Sequence, residues 1–160
     1  MLNLYRCGLD NSQMSQPCFR INSPSVIFER FDDEVVAIHM DKGTYHSMAG
    51  SAADAFLLLA DEASAGELAN ALSNRYAATP EQIGSALAPF LEQLQSEQLI
   101  VPVVTPKRQD PLRIPGGETG LPFGAPSLQA FRDLEGLLLL DPVHEVGDEG
   151  WPPPAEPKAQ

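Results

Sequence analysis

The chain has 160 residues, enough for one domain of ordinary size and a further segment. Hydrophobic residues make up 43% of it, which is sufficient for a core, and no stretch has the roughly 18 consecutive apolar residues that a membrane helix needs. Ten Lys and Arg against 22 Asp and Glu give a formal charge of -12, which disfavours a nucleic-acid partner because phosphates attract clustered cations.

The N-terminal residues and the cysteines indicate the cell compartment. The first 20 residues contain no apolar stretch of the kind that export signals carry. Cys7 and Cys18 are too few for a disulfide framework or for four zinc ligands. We therefore expect a cytoplasmic protein.

Proline placement divides the chain into four parts. Eleven of the fifteen prolines lie at or after Pro102, where each removes a backbone donor and fixes φ. The division predicts a flexible arm over 1–18, a dense domain over 19–104, a linker over 105–126, and a C-terminal segment over 127–160. The last segment would contain a short amphipathic helix and a proline-rich acidic tail.

The first half of the dense domain has the pattern of strands. Val26–Phe31 and Glu34–Met40 are rich in β-branched and aromatic residues, and an acidic turn at Asp32-Asp33 separates them. Asp41–Gly43 predicts a second turn, and Thr44–Met48 a third strand. These segments predict a three-stranded antiparallel sheet.

The second half has the pattern of three helices. A first helix starts near Gly50 and ends at residues 61–64, and a capping box at Ser64 and Glu67 predicts the start of a second. Thr79 and Pro80 predict the start of a third, long helix, which contains Pro89 as an expected bend or break. Residues 99–101 predict a closing strand. The fold class is therefore α+β.

Six segments of this domain resemble a known family. They are Phe19–Val26, Glu29–Val36, Lys42–Tyr45, Gly50–Ala53, Phe90–Leu94 and Leu99–Ile100. Together they resemble the PqqD family of peptide chaperones, whose domains are also called RiPP recognition elements. The resemblance covers residues 19–104. It implies a winged-helix-like fold that binds the leader of a ribosomally made precursor peptide and presents it to a peptide-modifying enzyme.

The expected binding mode is the addition of a strand. An exposed third strand over 43–48 would pair with an extended peptide, and the resemblance implies that the peptide lies between this strand and the third helix, which forms the other wall of the groove. The strand candidates are Thr44, Tyr45, His46 and Ser47, and the helix candidates are Ile83, Ala86, Leu87, Phe90 and Leu94. The alternative for the helix residues is that their periodic apolar stripe belongs to the core.

No residue pattern indicates catalysis, a metal or a cofactor. His39, His46 and His144 form no local pair with metal-ligand spacing. The cysteines fall in the expected flexible arm, residues 32–34 read as a solvated acidic turn, and Pro115–Gly117 lacks the Lys of a phosphate-binding loop. We expect a protein that is not an enzyme and needs no cofactor.

The C-terminal segment has an unassigned role. Apolar residues recur at helical spacing at Leu128, Phe131, Leu134, Leu137 and Leu138, which predicts an amphipathic helix. This helix could pack on its own domain and close an edge, or it could bind a partner enzyme or a second copy to form a homodimer. The Asp141–His144 and Gly150–Pro152 motifs indicate no function.

Two other functions compete with that of a peptide chaperone. A winged-helix DNA-binding regulator is disfavoured because the third helix contains Glu81, Glu92 and Glu97 and no Lys or Arg. A structural or regulatory subunit that binds a partner enzyme through the C-terminal helix stays open. The dense domain has four basic and twelve acidic residues, which disfavours a strongly acidic leader.

Overall fold

The computed structural model describes residues 16–104 and 109–132. In these ranges the strands are β1 (Cys18–Ile21), β2 (Val26–Phe31), β3 (Glu34–His39), β4 (Thr44–Ala49), β5 (Ala63–Ser64), β6 (Ile100–Val103) and β7 (Gln129–Phe131). The helices are α1 (Ser51–Leu58), α2 (Ala65–Ser73) and α3 (Pro80–Ser96), and a 3₁₀ turn over Leu59–Asp61 follows α1. The described part is thus a mixed fold of antiparallel sheets and helices.

The predicted three-stranded sheet is confirmed. β2, β3 and β4 pair in chain order, with Phe31 opposite Glu34 across the acidic turn and His39 opposite Thr44 across the second turn. Side chains alternate across β3 and β4, so His39 lies buried on the inner face while Tyr45 lies on the outer face. The alternation gives this sheet one face for the core and one for solvent.

A second sheet, which the sequence pattern does not indicate, has the strand order β5-β1-β6. β1 lies between β5 and β6 and pairs antiparallel with both. Cys18 is therefore in a strand and not in a flexible arm, while residues 1–15, including Cys7, are outside the described residues. The expected closing strand is β6, and its partner is β1, which lies about 80 residues earlier in the chain. A winged-helix arrangement stays a prediction.

The three predicted helices are confirmed with their start signals. Ser64 and Glu67 form a capping box at the start of α2, and Thr79 and Gln82 form another at the start of α3. α3 continues through the exposed Pro89 to Ser96. Of the described helices, none is both long and apolar enough to cross a membrane.

The core lies between α1, α2, α3 and the inner faces of the two sheets. α1 contacts β3, β4 and α2, so it is buried almost all round. The largest fully buried side chains include Phe56, Leu59, Leu68, Leu72, Ile83, Leu87, Phe90 and Leu94. The apolar residues that recur at helical spacing in α3 are therefore buried on the side of the helix that packs against α2.

Residues 112–128, here called the strap, lie against the domain. Five of their side chains pack against the core: Leu112, Ile114, Leu121, Phe123 and Leu128. Leu121 also accepts a hydrogen bond from the N–H of Ala77 at 2.8 Å and donates one to the carbonyl of Arg75 at 3.1 Å. The part predicted as a linker over 105–126 is thus bound to the domain across much of its length.

The predicted C-terminal helix is wrong at its start. Residues 129–131 form β7, the fourth strand of the sheet, with the order β2-β3-β4-β7. Strand pairing wins here because the edge of β4 offers backbone hydrogen bonds that a helix at this position could not use. The remaining positions of the expected helix and the tail, 133–160, lie outside the described residues.

A buried polar cluster holds the strap side of the domain together. The Tyr76 hydroxyl donates to Asp54 Oδ2 at 2.7 Å, and Arg75 Nε lies 3.3 Å from the same oxygen. Burial, followed by the hydrogen bond to Asp54, raises the pKa of Tyr76. Arg75 also donates to the Pro115 carbonyl at 3.3 Å, and the rings of Tyr76 and Phe123 meet edge to face at 5.9 Å.

Replacing Asp54 with Ala should therefore destabilise the protein. The substitution leaves the buried Tyr76 hydroxyl without its acceptor and Arg75 without its ion-pair partner, and we expect a loss of about 2 kcal/mol in the free energy of unfolding. Urea unfolding measures the loss. The control is Asp61→Ala, which removes an exposed carboxylate three residues beyond α1. Equal stabilities of the two variants would contradict a structural role for the cluster.

Candidate functional site

The edge of β4 that faces away from β3, here called the β4 edge, is paired in this structure. β7 adds to it as an antiparallel strand in which Gln129–Phe131 lies opposite Tyr45–Ser47. The expectation of an exposed third strand is therefore wrong in this state of the chain. An edge strand presents N–H and C=O groups that require hydrogen-bond partners. Here the three residues of β7 supply those partners.

An aromatic pair fixes the register of β7. Tyr45 and Phe131 lie directly opposite each other, and their rings stack with centroids 4.7 Å apart and planes 10° apart. Both side chains lie on the outer face of the sheet and are partly buried. A slip of one residue would move Phe131 to the opposite face and break the stack.

The carboxylate of Glu97 joins three elements beside this edge. Glu97 is the C-cap residue of α3. Its Oε1 accepts a hydrogen bond from Arg132 Nη2 at 3.1 Å, immediately after β7, and its Oε2 lies 3.4 Å from His46 Nε2 of β4. Its backbone carbonyl accepts from Lys42 Nζ at 3.2 Å. The end of α3 is therefore tied to β4 and to the residue that follows β7.

Burial and these contacts shift the two titrating groups. Burial raises the pKa of Glu97, but hydrogen bonds from His46 and Arg132 and their charges outweigh it, so the pKa of the carboxyl lies below its usual value of 4.5. Burial lowers the pKa of His46 below 6.5, and the contact with Glu97 opposes this shift only in part. At pH 7 the site thus contains a carboxylate, a neutral imidazole and the Arg132 cation.

The four strand candidates divide between two faces. Thr44 and His46 are buried on the inner face, and Tyr45 and Ser47 are partly buried on the outer face. Ser47 donates a hydrogen bond to Glu34 across the sheet. All four lie in β4, so the structure brings the predicted strand residues together along the edge that β7 occupies.

Most helix candidates lie in the core. Ile83, Leu87, Phe90 and Leu94 are at most 1% exposed, and Ala86 is partly buried. The structure does not bring them to the surface beside Tyr45. Their contact with a peptide stays a prediction, and their packing matches the alternative that the stripe is core.

Local sequence patterns do not reveal the residues that complete the β4 edge. Glu97 reads as a charge on the third helix, and Phe131 as part of a helical stripe. No motif points to Arg132 or Lys42 as site residues. The one feature of the sequence that points to this site is the position of Glu97 at the end of the third helix, where a cation from another segment can pair with its carboxylate.

Buried polar atoms on the inner face lack partners within the described ranges. They are Nδ1 and Nε2 of His39, Oγ1 of Thr44 and Nδ1 of His46. Buried polar groups are usually hydrogen-bonded, so these atoms give the inner side of the site unused donors and acceptors. No cluster of three or more His, Cys, Asp or Glu side chains that could hold a metal occurs in residues 16–104 or 109–132.

The central part of this chain is similar to known proteins. Residues 34–100, from the start of β3 to the first residue of β6, match the family described as "Coenzyme PQQ synthesis protein D (PqqD)". Among solved structures, that of TbiB1 in complex with the TbiA(beta) leader peptide is 25% identical, with a TM-score of 0.48. The match covers 57% of this chain and 99% of that one. A comparison with curated proteins gives no match.

Acidification should weaken the fold through His46. Because its pKa is lower in the folded chain than the 6.5 of the free side chain, the unfolded chain binds the proton more readily as the pH falls below 6.5. The free energy of unfolding should therefore decrease from pH 7.5 to pH 5.5, by up to about 1.4 kcal/mol per pH unit for one proton. Urea unfolding at both values measures the slope.

The variant His46→Gln should flatten this slope, because Gln does not titrate. His144→Gln, which changes a histidine outside the described residues, is the matched control and should keep the wild-type slope. An unchanged slope in His46→Gln would contradict the assignment of the pH dependence to the β4 edge.

Proposed function

Residues 34–100 form a PqqD-family domain, and from this premise we propose that the chain binds the leader segment of a ribosomally synthesised precursor peptide along the β4 edge. The leader adds to the sheet as an antiparallel strand, and the domain presents the attached precursor to a peptide-modifying enzyme. The chain itself acts as a non-catalytic adaptor in peptide biosynthesis.

One observation carries this proposal: the β4 edge accepts an added strand. β7 pairs with Tyr45–Ser47 in a defined antiparallel register although more than 80 residues separate the two segments. Main-chain hydrogen bonds supply affinity that does not depend on the sequence of the added strand, and alternate side chains supply specificity. An extended leader can use the same backbone groups once β7 leaves them.

The geometry favours delivery of a peptide rather than chemistry on it. A strand that pairs with β4 uses only the few residues opposite Thr44–Ala49, which leaves the rest of a precursor free for another protein. The carboxylate of Glu97 beside the edge, described above, is already used in structural contacts with Arg132 and His46. We therefore assign the modification of the peptide to a separate partner enzyme.

The competing functions receive less support. The alternative of a subunit that docks through a C-terminal helix loses the start of the predicted helix, because residues 129–131 form β7. DNA binding would require cations on α3, whereas Glu81 and Glu92 are exposed there. Neither alternative uses the β4 edge.

Addition of a leader should perturb the β4 edge first. In a titration of the ¹⁵N-labelled full chain with leader peptides encoded beside its gene, we expect the largest amide shifts in residues 43–48 and 129–132. The reason is that the peptide replaces the hydrogen bonds of β7 with its own. Heteronuclear NMR measures the shifts.

A scrambled leader of the same composition is the control and should give no saturable shifts. Saturable shifts confined to β2, on the opposite edge of the same sheet, would contradict strand addition at β4. Absence of binding by these leaders, including to a chain in which β7 is released, would contradict leader capture.

A further inference from the structure

We propose that Leu128–Arg132 is an internal surrogate of the leader, and that the β4 edge selects peptides in which an aromatic residue is followed directly by a basic one. The surrogate and the peptide compete for the same edge. This inference rests on the proposed function, because it assigns the substrate class and the regulation of that site.

The aromatic preference follows from Tyr45. Its ring lies partly buried on the outer face of the sheet, where Phe131 stacks on it at 4.7 Å. Cross-strand aromatic pairs stabilise sheets more than their area alone explains, and Tyr45 requires its partner directly opposite. A peptide without an aromatic residue at this position would lose the stack that β7 provides.

The basic preference follows from Glu97. Its side chain is 18% exposed, so its charge is partly removed from water and needs a partner. Within the described residues, Arg132 is the cation that contacts this carboxylate, since Lys42 binds the backbone carbonyl instead. When β7 leaves, Glu97 keeps only the neutral His46, and an incoming peptide that brings a cation replaces Arg132.

Strand alternation relates the two preferences to each other. Residues 129 and 131 face the outer side of the sheet, whereas residues 128, 130 and 132 face the inner side, where Leu128 packs against the core. The surrogate therefore has the pattern apolar, any, any, aromatic, basic. A peptide with the same pattern would reproduce each of its contacts.

The surrogate is weak enough to be displaced. β7 pairs with three of the six residues of β4, and Arg132 is 68% exposed. Short edge strands with few buried side chains open at a small cost in free energy. A longer peptide can pair with more of β4, which compensates for the advantage that β7 has from being attached to the domain through the strap.

The net charge of the chain favours the same substrate class. With twelve acidic and four basic residues in 19–104, the domain repels acidic peptides at long range. A basic residue beside the aromatic one reduces this repulsion at the position where Glu97 lies.

The test uses the full chain and a defined probe, a fluorescein-labelled synthetic peptide with the sequence of residues 126–132. The release variant Phe131→Ser with Arg132→Glu removes both contacts of the surrogate. We expect this variant to bind the probe at least about tenfold more tightly than the wild-type chain does, measured by fluorescence anisotropy. Arg132→Ala, which changes only an exposed side chain, should give a smaller gain.

Two controls separate specificity from general effects. Arg30→Glu makes the same change of charge on β2, far from the β4 edge, and should bind the probe as the wild-type chain does. Probes in which Phe131 is replaced by Ser, or Arg132 by Glu, should bind the release variant at least about tenfold more weakly than the parent probe. Equal binding of all three probes would overturn the proposed specificity.

The outcomes also distinguish this inference from the proposed function. If the release variant binds the probe no more tightly than the wild-type chain, while encoded leaders bind both equally, competition is overturned and leader capture stands. If the probe binds the release variant and no encoded leader binds either chain, the competition for the edge and its aromatic-basic preference stand, and leader capture fails. Release of β7 itself should appear as faster amide exchange at Tyr45–Ser47 in the release variant than in the wild-type chain.

Discussion

The backbone groups along the outer edge of β4 need hydrogen-bond partners, and the path of the chain after α3 follows from that need. The strap is bound to the domain through Leu121, whose N–H and carbonyl both bond to the segment after α2. Ser51 at the start of α1 donates to the carbonyl of Gly124 at 2.6 Å and guides the strap towards the sheet. β7 then reaches β4, and Glu97 holds the residue that follows it.

The elements that the sequence predicted correctly are those with local signals. The capping boxes at Ser64 and Thr79 involve residues three positions apart, so a helix start can be read without knowledge of its surroundings. The acidic turn between β2 and β3 is equally local, since Phe31 and Glu34 pair across two residues. For the same reason Tyr45 and His46 could be predicted as members of the candidate site: they belong to a short-range sheet.

The elements that could not be predicted depend on distant partners. The spacing of Leu128 and Phe131 fits a helix, whereas in the structure residues 129–131 form a strand because the edge of β4 offers them backbone partners. β1 likewise becomes a strand because β6, far along the chain, lies beside it. Glu97 gains its role from a residue 35 positions later, which no local pattern indicates.

The separation of β7 from the edge that it covers has an evolutionary consequence under the proposed competition. A substitution in β4, for example at Tyr45, changes the affinities for the internal strand and for an external peptide together, so much of its effect cancels. A substitution in residues 128–132 changes only the affinity of β4 for the internal strand. Substitutions in the C-terminal segment can therefore change the peptide concentration that is needed to displace β7, while the peptide preference of β4 stays constant. Paralogues with the same acceptor edge could in this way respond to different amounts of the same precursor.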